Sequence, residues 1–210
     1  MDNVEAALKR LRDNHELADF TLVAENGKEW RVHKLVLFMH SNVLYRMSTS
    51  QNYAEGQIGC VTLKEVCADS IKAMVRYLYD PQDFRPYHTG SPKDYDSIKQ
   101  HMHMLIGMWK LGDMYNMGRM KELARTVYLE FRGCRNFVEH MELAIDALSE
   151  LDGPTEFWDT IRYSLKHLFE SRHPYEPKDV AKMFKEYPDL AMGVLEDLVN
   201  VHYRTNCPNP

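Results

Sequence analysis

Residues 19–48 carry the pattern that most limits how this chain can fold. Phe20, Leu22 and Ala24 alternate with Thr21, Val23 and Glu25, a period-two pattern in side chains suited to a half-buried strand. Asn26-Gly27 supplies the positive φ angles of a tight hairpin turn, and Trp30 and Val32 resume the alternation on a return strand. From Lys34 the period changes. Leu35, Val36, Leu37, Phe38 and Met39 are too densely apolar for a surface helix, so this segment, ahead of Ser41, is expected to lie inside a core. A hairpin that feeds directly into a buried helix offers almost nothing suited to catalysis.

The run Asp19-Phe20-Thr21-Leu22, Gly27, Val32-His33-Lys34, Val36-Leu37 and Ser41 resembles the opening of a BTB/POZ domain. Val61-Thr62-Leu63, Ser70 to Leu78 and Tyr79-Asp80 resemble that fold's third strand and the following helix with its Tyr-x-Tyr ending. Leu111-Gly112-Asp113-Met114-Tyr115, followed by Met120 and Leu123-Ala124, resembles the helix pair that closes the domain, with Gly112 replacing the usual alanine. The match covers roughly Ala18 to Phe131. It implies an α+β fold, a small three-stranded sheet covered by helices.

Composition narrows the class further. A formal net charge of -5 and the absence of a Lys/Arg-rich run argue against nucleic acid as a primary partner. The four cysteines, Cys60, Cys67, Cys134 and Cys207, form no Cys-x-x-Cys pair. With no secretory apolar region and no apolar stretch of about 18 residues, the chain reads as a soluble protein of the cytoplasm or nucleus, without disulfides or membrane contact.

The expected organisation is an N-terminal dimerisation helix at 1–16, a BTB/POZ domain at 17–132 with a loop insertion at 80–97, a helical extension at 133–205 and a tail at 206–210. Val4, Ala7, Leu8 and Leu11 fall at helical spacing, so Asp2 to Asn14 should form a short amphipathic helix that must dock on something. The resemblance implies that this helix, through Val4, Leu8 and Leu11, crosses a two-fold axis onto a second subunit. The alternative is that it folds back on its own domain. Pro81, Pro86, Gly90 and Pro92 mark the Asp80–Ser97 segment as a loop, a polar insertion similar to that of fungal members of the family. Ser97 is the expected N-cap of a helix burying Met102, Leu105, Ile106 and Trp109. A break at Asn116–Gly118 precedes a helix from Met120 to Phe131. Further helices are expected at Asn136–Leu151, from Phe157 to about Ser171, from Pro177, and from Asp189 to Tyr203, so the C-terminal extension is all helical.

Reactive constellations are weak. His101 and His103, two apart on a helix, point in different directions and cannot share a metal ion, and His140 and His167 have no ligand partner at useful spacing. These read as surface or capping histidines. There is no Gly-x-Ser-x-Gly and no phosphate-binding glycine loop. Gly107, Gly112 and Gly118 are expected to allow close helix packing, and the methionines around them to fill the core. No cofactor, metal or catalytic residue is expected.

Two places remain. Asp19 and Lys34 should meet at the base of the first core helix. The resemblance implies that they line a charged pocket at a dimer interface, and a simple intramolecular salt bridge is the other reading. Tyr53-Ala54-Glu55 resembles the hydrophobic-x-Glu motif that some BTB adaptors present to a cullin-3 scaffold, with Tyr53 as apolar anchor and Glu55 as a charge that sets register. An ordinary polar loop is the alternative. In adaptors of this kind the helices beyond Phe131 complete the cullin groove. The expected function is a non-catalytic, homodimeric protein-interaction module, a substrate adaptor for a cullin-3 ubiquitin ligase, or else a dimeric scaffold or transcription-linked regulator that binds no cullin. No Kelch repeat, zinc finger or MATH domain is present to name a client.

Overall fold

A computed structural model describes residues 2–81, 95–131, 155–170 and 177–206, together with Leu143, Asp146, Ser149 and Leu151. The chain divides into two compact units, Met1–Val127 and Tyr128–Pro210. In the first, α1 (Asp2–Asp13) leads through a single 3-10 turn to β1 (Phe20–Ala24) and β2 (Glu29–Val32). Helices α2 (Lys34–His40), α3 (Asn42–Thr49) and α4 (Ala54–Ile58) follow, then β3 (Cys60–Leu63), α5 (Ala68–Tyr79), α6 (Tyr95–Met114) and α7 (Gly118–Phe131), which crosses into the second unit.

The hairpin forms as its alternation requires. Phe20 faces Val32 and Leu22 faces Trp30 across an antiparallel pair. Gly27 takes a φ of 80° at the turn, where an L side chain would be strained, and Asn26 Oδ1 accepts from the Lys28 N–H at 3.1 Å. β3 adds in parallel on the other side of β1, giving the order β2-β1-β3. Phe20, Leu22 and Ala24 from β1 and Val61 and Leu63 from β3 are buried together with Val32. One face of the sheet is thus apolar and covered.

Helices α5 and α6 make the most extensive helix pair in this unit. Gly107 permits it, since a Cβ there would sit 2.7 Å from the Ser70 Cβ, and the Ser70 hydroxyl donates to the Met104 carbonyl at 3.1 Å. Met102, Leu105, Ile106 and Trp109 are buried, as their spacing predicts. α6 begins at Tyr95, ahead of the expected cap at Ser97. Asp80 and Pro81 follow α5 directly, and the remainder of the expected loop, 82–94, lies outside the described residues. α1 lies against α5 of its own chain, with Leu8 buried and Lys9 Nζ 2.9 Å from Asp80 Oδ2. Asp80 is 3% exposed. A carboxylate taken out of water needs such a partner, so α1 is tethered by charge as well as by apolar contact.

In the second unit, α8 (Glu156–Glu170), α9 (Pro177–Glu186) and α10 (Pro188–Asn206) are described. Pro177 and Pro188 each occupy the first helical position, where the missing N–H costs nothing. Phe157, Ile161 and Leu165 from α8 and Ala191 and Val194 from α10 are buried. Tyr128 meets Phe157 edge-on at 5.3 Å. Gly193 lets α10 approach α8 beneath Arg162, whose Nε is 2.8 Å from Asp197 Oδ2. Of the helix expected at Asn136–Leu151, only Leu143, Asp146, Ser149 and Leu151 are described, the first three helical. Cys134, His140 and Cys207, and the side chain of His167, lie outside the described residues.

Three expectations need correction. The α2 segment is not wholly internal: Val36 and Leu37 are buried, whereas Leu35, Phe38 and Met39 face solvent, because a helix of five consecutive apolar residues can bury only one side. Gly118 has open space around its Cα, so it does not serve close packing; it starts α7 after Asn116, whose φ of 54° makes the break. His101 is neither a surface nor a capping residue but a core residue, 1% exposed on the inner side of α6.

Burial sets how these histidines titrate. It pushes the His101 imidazole from its ordinary 6.5 down to about 3 and lowers His33 in the same direction. A base whose folded value is depressed contributes its stability in full above about pH 6.5 and loses it as the pH falls toward the folded value, because the unfolded chain takes up the proton first. The unfolding free energy, measured by urea titration, should therefore decline from about pH 7 to about pH 5. His101→Met should flatten that decline, and an equally steep profile in this variant would contradict the assignment.

Candidate functional site

Helix α2 is short, and its ends are held by groups distant in sequence. His33 occupies the N-cap position without a side-chain capping bond. Asp19, at the start of β1, does that work instead, its Oδ1 accepting from the Lys34 backbone N–H at 2.8 Å. The expected meeting of Asp19 and Lys34 is thus present, but through the main chain rather than the Lys34 ammonium. A carboxylate at a helix N-terminus also complements the helix dipole.

His33 faces inward to Tyr79, the last residue of α5. Its backbone N–H donates to the Tyr79 hydroxyl oxygen at 3.1 Å, and its Nδ1 lies 2.6 Å from the same oxygen. A hydroxyl that accepts from the amide can donate to Nδ1, which requires the neutral imidazole that burial already favours. Burial pushes Tyr79 up to about 12, so it keeps its proton. At the other end, the buried Ser41 hydroxyl accepts from the Leu44 N–H at 3.0 Å, capping α3, and donates to the Tyr115 carbonyl at 2.7 Å. These ties fix which way α2 points.

The outer face is consequently held toward water. Leu35 is 63% exposed, Phe38 60%, Met39 49% and Val43, at the start of α3, 37%. Phe38 stands edge-on to Tyr45 at 5.0 Å, which stiffens the ring in its exposed position. Exposed apolar side chains clustered on one short helix, with buried anchors behind them, are what a protein contact uses. Their positions, i, i+3 and i+4, share one side of the helix, opposite Val36 and Leu37.

The second candidate lies on α4. Tyr53 caps that helix in an extended conformation and is exposed, as is Ala54, while Glu55 sits half-buried in the first turn. Tyr115, just past the end of α6, is pushed up to about 12, chiefly by burial and secondly by the Glu55 charge. Gly56 lets α4 lie against the end of α3, where a side chain would collide with the Ser50 carbonyl. Gly59, with φ 81°, ends the helix. Tyr53 and Glu55 are therefore presented on a firm short helix. Of the N-terminal trio, Leu8 is buried on its own chain and Leu11 is half-buried, while the Val4 side chain lies outside the described residues.

Among the described residues, no group of three or more His, Cys, Asp and Glu could hold a metal ion. No described helix is long and apolar enough to cross a membrane. A small mixed sheet whose covering helices keep a rigid apolar outer face defines an α+β protein-interaction module. The family model for the BTB/POZ domain matches residues 8–122, more than half of the chain, and the protein belongs to that family. No curated protein matches the chain.

Capping by Asp19 is directly testable. Asp19→Ala should lower stability by about 1 kcal/mol, whereas Asp19→Asn, which keeps the acceptor oxygen, should recover most of the loss. Chemical denaturation of the two variants, compared with Lys34→Ala as a control expected to be near neutral, separates a backbone cap from a side-chain ion pair.

Proposed function

We propose that this chain is a homodimeric adaptor that presents a bound partner to a cullin-3 ubiquitin ligase. The observation that carries the dimer is the outer face of α2. Leu35, Phe38 and Met39 are exposed although the helix beneath them is anchored at both ends. Burying them against a second copy would remove apolar area from water without any rearrangement, which is how a preformed interface gains its affinity. Asp19 and Lys34 border this face at the base of α2, and the proposed interface also takes in Val4 and Leu11 of α1, whereas Leu8 is used against its own chain. The chain as a whole is read as a dimerisation helix (1–16), the BTB/POZ domain (17–132) and a helical extension (133–205).

Tyr53 and Glu55 support the cullin contact. An exposed aromatic next to a half-buried carboxylate, on a helix pinned by Gly56, combines an anchor with a register-setting charge. The client is a further protein, and its identity does not follow from these residues.

Light scattering at micromolar concentration should show a dimer, and Phe38→Glu combined with Leu35→Glu should give a folded monomer. A wild-type monomer would refute the dimer. In a separate measurement, the purified cullin-3 N-terminal domain should bind the wild-type chain, and Glu55→Lys should weaken that binding roughly tenfold or more. Absent binding, or binding indifferent to Glu55, would leave a dimeric scaffold without a cullin as the better description.

A further inference from the structure

The second unit carries an apolar surface of its own. On α10, Met192 is 58% exposed, Leu195 43% and Val199 53%. At i, i+3 and i+7 they form one stripe along the helix, on a different side from the buried Ala191 and Val194. The helix is held in this orientation by Gly193 beneath Arg162 and by the Arg162–Asp197 ion pair at 2.8 Å. The stripe therefore cannot turn inward without breaking those contacts.

One flank of the stripe is acidic. Asp189 and Glu196, both exposed, lie between the apolar residues and the side of α10 that meets α8. Glu156 and Asp159 are exposed on α8. Arg162 is already engaged, with Asp197 at 2.8 Å and Asp159 at 3.6 Å, so its charge is taken up there and not by Asp189 or Glu196. Asp189 and Glu196 form no ion pair with the described residues. A surface that joins three apolar side chains to a negative flank is matched by a segment with apolar anchors at helical spacing and Lys or Arg along one side.

A second copy of the chain fits this surface poorly. The exposed lysines of α9, Lys178, Lys182 and Lys185, have the right charge, but among the described side chains of α9 the exposed face that carries them adds Ala181 and no large apolar anchor. We infer that the Met192–Leu195–Val199 stripe of α10, with Asp189 and Glu196 beside it, is a docking face for a basic amphipathic helix of another protein. This goes beyond the adaptor reading, which names no residue of α10 and gives the helices beyond Phe131 to the cullin rather than to a further protein.

The probe is a fluorescein-labelled peptide of about 16 residues, long enough to become helical on binding, with Leu at i, i+3 and i+7 and Lys along one flank. A second peptide carries Glu in place of Lys. By fluorescence anisotropy with the full chain, the Lys peptide should bind and the Glu peptide should not, and salt should weaken the complex. Leu195→Glu and, independently, Met192→Glu should each reduce binding roughly tenfold or more, with the unfolding midpoint unchanged because both side chains are exposed. Asp189→Lys combined with Glu196→Lys should transfer the preference to the Glu peptide. The inference is overturned by no binding, by equal binding of the two peptides, or by indifference to both apolar substitutions. It is equally overturned if Leu195→Glu lowers the oligomeric state in sedimentation, which assigns the stripe to a second copy, or abolishes cullin-3 binding, which assigns it to the cullin.

Discussion

The first unit depends on how α2 is fastened. Seven residues are too few for a helix to hold itself together in water, because the nucleation cost is spread over hardly any bonds. Its stability is borrowed from three polar contacts reaching across the sequence: Asp19 to the Lys34 amide, Tyr79 to His33, and Ser41 to Tyr115. Each joins α2 or its boundary to a different element, so β1, α5 and the end of α6 are locked to one another through this one short helix. The apolar contacts of Val36 and Leu37 supply burial, and the polar contacts supply direction. That division explains how three large apolar side chains can remain in water on a helix that does not shift to hide them.

The hairpin, a close helix approach at Gly107 and the buried face of α6 were legible because each rests on local signals: alternation about Asn26-Gly27, glycine within a helix, and a 3.6-residue period burying Met102, Leu105, Ile106 and Trp109. The density of apolar residues in 35–39 concealed the fact that only two of them point inward. Density measures the content of a segment and not which side faces the core, and a seven-residue helix crossing the edge of a small unit has two very different sides. His101 misled for a related reason. Its residue type suggests a polar setting, but it stands one turn before Leu105 and two before Met108, so the periodicity that buries those two residues buries the imidazole with them.

The candidate site was legible in part. Asp19 and Lys34 were placed near one another by hairpin geometry, yet the bond runs from a carboxylate to a backbone amide, which no side-chain charge pattern announces. Tyr53 and Glu55 were placed ahead of β3, and the structure adds a short helix that presents them, dictated by Gly56 and Gly59 rather than by the two residues themselves. The tie between Ser41 and Tyr115 had no local signal, since its partner is a carbonyl far along the chain.

The sheet order β2-β1-β3 has a consequence for how the chain acquires its shape. β1 can pair with β2 as soon as the Asn26-Gly27 turn closes, but its other edge stays open until Cys60–Leu63 arrives to lie parallel to it. During synthesis the central strand must wait, half paired, while the three intervening helices emerge. Closing that long connection is an entropic step that local contacts do not speed. The exposed edge of Phe20–Ala24 is thus the point at which a nascent or heat-loosened chain is open to pairing with a neighbour's strand, before its own third strand seals it.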